Sequence, residues 1–188
     1  MNEEKKDRRI RRTKKQLEDA LLTLLRTKNI HNITVSELAS TADVTRATFY
    51  AHYRDPQDML IQMQKRILDN IFSLIDEDTS KHPDKFFLAT FEYFLTEVAH
   101  PEILFITAGE RSAFEEFGNI IFENYILHWV PNITNDSRIY EYYRTYTIYG
   151  CVSVVRHWLN TGKTESPETM AALFLQLLPG RPEEMILP

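Results

Sequence analysis

The sequence predicts an all-α protein of about nine helices. Apolar side chains recur at helical spacing along most of the chain, and no segment alternates apolar and polar residues as a strand would. The 188 residues include only five glycines, which favours long helices because glycine in a helix interior is costly. A hydrophobic share of 43% with 26% charged residues is typical of a globular protein and not of a disordered chain.

The first predicted helix runs from about residue 9 to residue 28, where leucines recur on one face. A polar connection over residues 29–33 follows it. Thr34 and Glu37 then have the spacing of a capping box, in which each residue satisfies a backbone N–H of the other. A second helix is therefore predicted to begin at this point.

The next predicted elements are a tight turn and two further helices. Residues 42–44 interrupt the apolar pattern, and Thr45 can cap a third helix over residues 46–50. Asp55 followed by Pro56 is typical of the N-cap and first-turn proline of a fourth helix. A short helix, a turn and a second short helix form a helix-turn-helix, a motif that places its second helix in the major groove of DNA.

The fourth predicted helix begins at Pro56 and continues through apolar residues to Ile75. A helix of that length leaves a small N-terminal domain and enters the next one. We therefore place the domain boundary inside this helix, with a helix-turn-helix domain over residues 1–58 and a second helical domain over residues 59–188.

The remaining five helices are predicted from caps, prolines and apolar spacing. The fifth begins at Pro83, and the seventh follows a second capping box formed by Ser112 and Glu115. Gly162 is expected to stop the eighth helix. Residues 132–136 and the C-terminal tail are predicted to be irregular. The sixth to ninth helices are expected at about 102–108, 112–129, 137–160 and 168–178.

The sequence disfavours a secreted or membrane protein. Cys151 is the only cysteine, so neither an intrachain disulfide nor a cysteine-based metal cluster is possible, which fits a reducing cytoplasm. The charged N-terminus does not have the character of a signal peptide. The longest uncharged apolar stretch, residues 145–155, is shorter than the roughly 20 residues of a membrane span. We therefore expect a cytoplasmic protein with no membrane partner.

An enzyme is not expected either. The six histidines do not cluster with acidic residues at metal-ligand spacing. The sequence contains no glycine-rich phosphate loop, and no hydroxyl, histidine and acid can be grouped as a nucleophilic set. We therefore predict no catalytic residues, no metal and no cofactor.

The charge is distributed unevenly along the chain. The net charge is −5, yet residues 1–58 carry +3 and the remaining residues carry −8. Most of the positive charge lies between Lys5 and Lys15. A basic end on an acidic body lets the phosphates of a nucleic acid attract one face of the protein. A solvated, frayed tail explains the same run of charge, and the run alone does not separate the two interpretations.

Three stretches of the sequence resemble the DNA-binding domain of the tetracycline-repressor (TetR) family. They are T-K-K-Q-L at 13–17, I-T-V-S-E-L-A at 33–39 and V-T-R-A-T-F-Y-A-H-Y at 44–53, within a resemblance that covers roughly residues 9–60. The stretch R-H-W-L-N-T-G-K-T-E-S-P-E-T-M at 156–170 is similar to the last two helices of one branch of these regulators. The resemblance implies a DNA-binding domain followed by a divergent helical domain.

Three positions depart from the family pattern. Members often carry glycine where this chain has Asp43, in the recognition turn, and Asn29, after the first helix. Both residues tolerate a left-handed backbone better than most others do. Many members carry lysine where Pro56 begins the fourth helix, so one expected phosphate contact is removed.

The second helix of the motif offers side chains that suit DNA. The hydroxyl of Thr45 can cap the helix or donate to a phosphate. Arg46 has a rigid fork of donors that fits guanine or a phosphate. Ala47 is small enough for a close approach to a thymine methyl group, and Thr48 can bond a base edge or a phosphate.

The resemblance adds phosphate contacts by Tyr50, His52 and Thr34. Two alternatives stay open, because Thr34 can be a helix cap only and Tyr53 is favoured as core packing over a DNA contact. The complete set of predicted DNA-binding residues is Thr34, Thr45, Arg46, Ala47, Thr48, Tyr50, His52 and Tyr53.

The second domain is rich in aromatic residues, most of which must be core. Buried tyrosines need partners for their hydroxyls, and a ligand in a cavity can supply them. The resemblance implies a pocket for a small-molecule effector between helices five, seven and eight. The residues predicted to line this pocket are Phe91, Phe105, Tyr125, Trp129, Tyr146 and Tyr149.

The resemblance also implies a homodimer through the last two helices, at about 137–160 and 167–178. Gly150 and Ser153 allow a close approach of helices at that interface, or alternatively Gly150 packs inside the monomer. Two recognition helices about 34 Å apart can read the two half-sites of a palindrome.

The function that these features predict is that of a ligand-responsive transcriptional regulator. We expect a repressor that binds a palindromic operator in double-stranded DNA as a dimer and is released by an unknown small-molecule effector. The alternative is a TetR-like co-regulator or adaptor that acts mainly through protein–protein contacts.

Overall fold

The computed structural model describes residues 2–109, 112–129 and 136–178. The predicted loop at 132–135 and the predicted irregular tail lie outside these ranges. All regular structure within the ranges is helical, which confirms the all-α prediction. They contain eight α-helices of five or more residues, against about nine predicted.

The chain divides into two compact units, Met1–Met63 and Gln64–Pro188. This division falls within the fourth helix, α4 (Pro56–Ser73), and so does the boundary that the sequence predicts after residue 58. Helix α4 therefore contributes residues to both units.

The first unit is built from short helices on a common core. Leu21, Leu38, Phe49 and Met59 are fully buried, and each comes from a different helix. An isolated helix of fewer than about 12 residues is marginal in water, so the shorter helices depend on this packing. In order, the elements are α1 (Asn2–Leu25), a 3₁₀ turn (Ile30–Asn32), α2 (Val35–Thr41), α3 (Arg46–Tyr50) and the beginning of α4.

The second unit contains two long helices and several shorter elements. The elements are the end of α4, α5 (Pro83–Thr96), a 3₁₀ turn (Pro101–Phe105), α6 (Ala113–Ile121), a π-helical turn (Phe122–Ile126), α7 (Leu127–Trp129), α8 (Ser137–Asn160) and α9 (Pro167–Leu177).

Helix α9 packs along α5 and brings aromatic side chains into the core of the second unit. The Phe91 ring forms edge-to-face pairs with Trp158, at 5.2 Å between ring centroids, and with Phe174, at 5.0 Å. Edge-to-face pairs at such distances are favourable beyond the area that they bury. Helices α6 and α8 also approach closely, since a Cβ atom at Gly118 would lie 3.0 Å from the side chain of Ile148.

Two predicted helices of the second unit differ from the structure. The sixth, expected at 102–108, is the shorter 3₁₀ turn Pro101–Phe105. Buried Gln64 of α4 donates to the carbonyl oxygens of Ile103 at 2.7 Å and Ile106 at 2.8 Å. The Ile103 carbonyl also accepts from the Ile106 N–H at 3.1 Å, so Gln64 adds a second donor there. To the Ile106 carbonyl it supplies a donor that a longer helix would provide with its own N–H groups. The seventh helix is interrupted by the π-helical turn, which buries both Phe122 and Ile126.

The end of α8 and the beginning of α9 match the prediction. Gly162 follows the last turn of α8 and has φ of 86°. Glycine adopts this left-handed backbone conformation without steric cost. The N–H of Lys163 then returns to the Trp158 carbonyl at 2.9 Å. The Ser166 hydroxyl accepts from the N–H of Thr169 at 3.3 Å and caps α9.

Candidate DNA-binding surface and ligand cavity

The beginning of α2 is fixed by the capping box that the sequence predicts. The Thr34 hydroxyl accepts from the Glu37 N–H at 3.2 Å, and the Thr34 N–H donates to the Glu37 carboxylate at 3.1 Å. Lys28, beyond the end of α1, pairs with the same carboxylate. The Lys28 ammonium, followed by the Thr34 N–H, lowers the pKa of Glu37 to about 2. The Thr34 hydroxyl also donates to the Glu37 carboxylate at 2.9 Å. Its hydrogen is therefore already used within the capping box.

The turn between α2 and α3 uses a left-handed residue. Asp43 has φ of 53°, as the tolerance of aspartate predicts. The N–H of Val44 returns to the Ala39 carbonyl at 2.9 Å and closes the turn. Asn29 differs from the expectation: its φ is −70°, and its side chain accepts from the His31 N–H to cap the 3₁₀ turn.

Helix α3 presents four exposed side chains, which together we call the recognition surface: Thr45, Arg46, Ala47 and Tyr50. Tyr50 is 59% exposed, while the neighbouring Phe49 is fully buried and anchors the helix. Thr45 caps the helix by accepting from the Thr48 N–H at 3.1 Å. The two threonine hydroxyls lie 2.9 Å apart, so each holds the other in place.

The last two predicted DNA contacts lie deeper than the recognition surface. His52 is half-buried. Tyr53 is only 4% exposed and packs on Phe49 at 5.8 Å between ring centroids. The Lys14 ammonium of α1 stands 6.0 Å from the centre of the Tyr53 ring, within the range of a cation–π contact. The structure thus places Tyr53 in the core that supports α3.

Helix α4 begins with a second set of side-chain caps. The Asp55 carboxylate accepts from the Asp58 N–H at 2.7 Å, and Asp58 accepts from the Arg54 N–H at 2.9 Å. The Arg54 backbone N–H is the main group that lowers the pKa of Asp58. Pro56 is buried at the first position of the helix. These caps fix the chain directly after the recognition surface.

The second unit contains a cavity between α5, α6, α8 and α9, which we call the C-terminal cavity. Its empty space is about 560 Å³, including the part that is open to solvent. Seven phenylalanines contribute to its wall, and none of the lining residues is acidic or basic. The lining also includes Thr90, Thr147 and Cys151. Burial raises the pKa of the Cys151 thiol to about 12.

Of the six residues predicted to line an effector pocket, Phe91 lines the C-terminal cavity. Phe105 packs against the lining residue Phe114 at 5.2 Å and lies under the Arg156 guanidinium at 4.8 Å. Trp129 is buried outside the cavity, and its ring N–H donates to the Ser80 carbonyl at 2.8 Å.

The other three predicted pocket residues also lie outside this cavity. Tyr125 packs beside Trp129 at 6.1 Å. Tyr146 and Tyr149 are exposed on α8. Residues Thr147 and Cys151, which do line the cavity, are one helical turn apart on the other side of the same helix. Their shared face is the signal in the sequence that could have found them.

The exposed side of α8 carries an apolar stripe, defined here as Ile139, Tyr142, Tyr146 and Tyr149. Tyr142 is 77% exposed and Tyr146 is 65% exposed in the single chain. The intervals of three and four residues place all four side chains on one helix face. No atom lies within 4 Å of a Cβ built on Gly150, so the residue does not pack inside the monomer in the described part of the chain.

None of the helices in the described ranges is long and apolar enough to span a membrane. Within the same ranges, no group of three or more histidine, cysteine, aspartate or glutamate side chains is placed to hold a metal ion.

A capped helix, a left-handed turn and a second short helix with exposed arginine and tyrosine define a helix-turn-helix DNA-binding protein. Comparison with known proteins leads to the same class of protein. Residues 17–63 match the family described as "Bacterial regulatory proteins, tetR family", and residues 81–180 match "Transcriptional regulator C-terminal region" of the TetR group. The chain belongs to the TetR family of bacterial transcriptional regulators, a family of regulators and not of enzymes.

A curated relative is the uncharacterized HTH-type transcriptional regulator YxbF of Bacillus subtilis (strain 168). It is 28% identical over 189 residues, which cover 96% of this chain and 48% of the relative. The chain therefore spans about half the length of the curated relative that it matches.

Solved structures share the fold at low sequence identity. A TetR transcriptional regulator from Streptococcus agalactiae 2603V has a TM-score of 0.66 at 17% identity, over 92% of this chain and 97% of that chain. The dihydroxyacetone kinase operon activator DhaS has a TM-score of 0.55 at 18% identity, over 88% of this chain and 93% of that chain. The fatty acid degradation regulator FadR from Bacillus halodurans has a TM-score of 0.52 at 20% identity, over 88% of this chain and 93% of that chain.

Proposed function

We propose that this protein is a dimeric repressor that binds a palindromic operator through α3 and is released by a small-molecule effector in the C-terminal cavity. The recognition surface carries this proposal. Arg46 and Tyr50 are exposed on a helix whose backbone is held by the Thr45 cap and the buried Phe49. A rigid helix with an exposed arginine suits the major groove, where the guanidinium can read guanine.

The remaining predicted DNA contacts would position the helix and not read bases. Thr48 and His52 are half-buried at the edge of the recognition surface, and Thr34 lies at the exposed beginning of α2. Helix N-termini such as that of α2 favour a phosphate. Because a regulator of bacterial transcription acts on DNA inside the cell, we place the protein in the bacterial cytoplasm.

The apolar stripe on α8 supports the dimer. Four large apolar side chains in a row on one exposed helix face are unusual for a monomer and typical of an interaction site. Gly150 and Ser153, adjacent to the stripe on α8, leave room for a helix of a second chain. A homodimer also suits the task, since two recognition helices about 34 Å apart read two half-sites of a palindrome.

Release by an effector requires two states of the dimer. We propose that occupation of the C-terminal cavity favours a state whose recognition helices have the wrong separation for the operator. The effector can shift this equilibrium only by its differential affinity for the two states.

Selection of DNA by the purified full chain tests the proposal. A random duplex library is enriched over several rounds, and the affinity of the selected sequence is measured by fluorescence anisotropy at several salt concentrations. We expect an inverted repeat that binds saturably, with an affinity that falls steeply with salt because basic contacts release counterions. Weak binding that is equal for all sequences would instead support the adaptor that acts through protein contacts.

The direction of regulation needs a separate measurement. The fold is shared with DhaS, which is called an operon activator, so an activator is the second candidate. A reporter gene placed behind the selected operator gives the answer. We expect higher expression when the regulator is deleted, and lower expression would identify an activator.

A further inference from the structure

The wall of the C-terminal cavity restricts the charge of its ligand. Every lining residue is uncharged, and seven of the sixteen are phenylalanines. Cys151 stays a neutral thiol at physiological pH, since burial raises its pKa to about 12. An ion that enters such a space loses its hydration without gaining a counter-charge, which is strongly unfavourable. The cavity therefore selects against carboxylates and ammonium groups.

One polar group of the wall, the Thr147 hydroxyl, is buried without a hydrogen bond of normal geometry to a described residue. The Thr147 side chain as a whole is 4% exposed. The other lining hydroxyl, on Thr90, donates to the Phe86 carbonyl at 2.8 Å and is thus occupied. A threonine hydroxyl has one donor and two acceptor positions.

The Tyr143 hydroxyl, one turn earlier on α8, is a polar neighbour of Thr147. Burial raises the pKa of Tyr143, and the Thr147 hydroxyl opposes that rise in part. An interaction with Tyr143 still leaves capacity on the Thr147 oxygen, because that oxygen can donate once and accept twice. A ligand with a single hydroxyl or carbonyl group would use this capacity.

We propose that the C-terminal cavity binds a small uncharged aromatic molecule whose single hydrogen-bonding group contacts the Thr147 hydroxyl. The phenylalanine edges and faces of the wall suit a ligand ring, since aromatic pairs favour edge-to-face and offset arrangements. This inference rests on the proposed function only in treating the ligand as the effector. The chemistry of the wall stands whether or not the ligand releases DNA.

Matched probes test this proposal on the full chain. Benzyl alcohol is compared at pH 7 with ethylbenzene, which replaces the hydroxyl by a methyl group, and with benzoate and benzylamine, which add a charge of either sign. Binding is followed by thermal shift. It is located by the fluorescence of Trp129 and Trp158, the two tryptophans of the chain, because each ring packs against a phenylalanine of the wall.

We expect benzyl alcohol to bind most tightly and to change the tryptophan fluorescence, and neither charged probe to bind at the same concentration. Thr147→Val removes the hydroxyl at nearly constant volume. It should weaken benzyl alcohol about fivefold to tenfold, the worth of one hydrogen bond, and leave ethylbenzene unchanged. Thr145→Val, an exposed position of α8 outside the cavity, is the matched control and should bind both probes as the wild type does.

Two results would overturn the proposal: benzoate or benzylamine binding as tightly as benzyl alcohol, or no change of tryptophan fluorescence with any neutral probe. The probe comparison on the wild type holds even if Thr147→Val does not fold. If a folded Thr147→Val variant binds benzyl alcohol with unchanged affinity, the proposed contact between the ligand and the Thr147 hydroxyl is wrong. If benzyl alcohol binds as expected but operator affinity is unchanged, effector release fails and the ligand class stands.

Discussion

Arg46 is the residue on which base reading most depends. It is the first residue of α3, exposed next to a capped helix N-terminus. One bidentate contact to guanine is worth about 1–3 kcal/mol, so Arg46→Ala should weaken specific binding about fivefold to 150-fold. Anisotropy titration on the selected operator measures this effect.

The matched control for Arg46→Ala is Arg26→Ala, which removes the same charge from an exposed position beyond the end of α1. We expect a small effect that is equal for specific and random DNA. Equal losses in the two variants would show that Arg46 contributes only general charge. Tyr50→Ala should weaken binding to the operator and to random DNA alike, because its exposed ring is expected to contact the DNA backbone.

Glu37 makes the stability of the first unit depend on acidity. Its pKa lies at about 2 in the folded protein, below the ordinary value of 4.5, chiefly because of Lys28. A carboxylate whose folded pKa is lowered contributes stability above its unfolded pKa and loses it as the pH falls through the folded pKa. We therefore expect this contribution at pH 7 and its progressive loss between about pH 4.5 and pH 2.

Urea unfolding of Glu37→Gln and of the wild type at several pH values measures this contribution. The variant should be less stable at pH 7, and the difference should shrink as the pH approaches 2. Asp19→Asn removes an exposed carboxylate of α1 and serves as the control. A difference between Glu37→Gln and the wild type that does not change with pH would contradict the role of the Lys28 pair.

Several residue roles could be predicted from short-range spacing. The capping box of Thr34 and Glu37, the cap at Thr45 and the left-handed Asp43 each depend on a few neighbouring residues, and the structure contains all of them. Residues that act through distant partners were harder to predict. The pairing of Lys28 with Glu37 joins the turn after α1 to helix α2, and no local pattern indicates it.

Helix α8 shows why the lining of the C-terminal cavity was predicted less well than the turn chemistry. Aromatic character selected Tyr146 and Tyr149, whereas the cavity is lined by Thr147 and Cys151 of the same helix. Tyr146 and Thr147 are adjacent in the chain, and a step of one residue turns a side chain by about 100° around the helix. The angular position relative to other helices, and not residue type, decides which face is covered.

Gln64 of α4 adds a side-chain donor to the 3₁₀ turn Pro101–Phe105 and to Ile106 directly after it. Its amide is buried and donates to the Ile103 and Ile106 carbonyls. Gln64→Leu would leave these acceptors without that donor, and such a loss costs about 1–3 kcal/mol. We expect a lower free energy of unfolding by this amount in urea titration.

Gln62→Leu is the control for Gln64→Leu, since Gln62 is an exposed glutamine of the same helix that donates to Asp58. Its effect should stay within about 0.5 kcal/mol, as for most surface substitutions. Comparable stability of the two variants would mean that the amide of Gln64 contributes no net stability to the turn.

The whole molecule is expected to be a dimer through the apolar stripe on α8. Tyr146→Glu places a charge in the centre of that stripe, and a buried unpaired charge is strongly unfavourable. Sedimentation of the wild type at micromolar concentration should give twice the chain mass, while Tyr146→Glu should sediment as a monomer. Leu95→Glu, at an exposed apolar position of α5, is the control and should stay dimeric. A monomeric wild type, or a dimeric Tyr146→Glu, would show that the apolar stripe is not the dimer interface.

At the scale of the molecule, the all-α class and the division inside α4 follow from patterns that repeat over many residues. Apolar spacing, few glycines and the absence of strand alternation point in the same direction, so a local error does not alter the class. The turns that interrupt or shorten the predicted helices cannot be predicted from such repeating patterns. The π-helical turn after Ile121 and the 3₁₀ turn after His100 depend on packing between helices that are distant in sequence.

The central claim is that two recognition helices of one dimer read two half-sites on the same face of the duplex. Inserting five base pairs between the half-sites of the selected operator tests it most directly, because half a turn of about 10 base pairs moves one half-site to the opposite face. We predict that affinity falls to that of random DNA and returns in large part when ten base pairs are inserted. Unchanged affinity after the five-base-pair insertion would contradict the account.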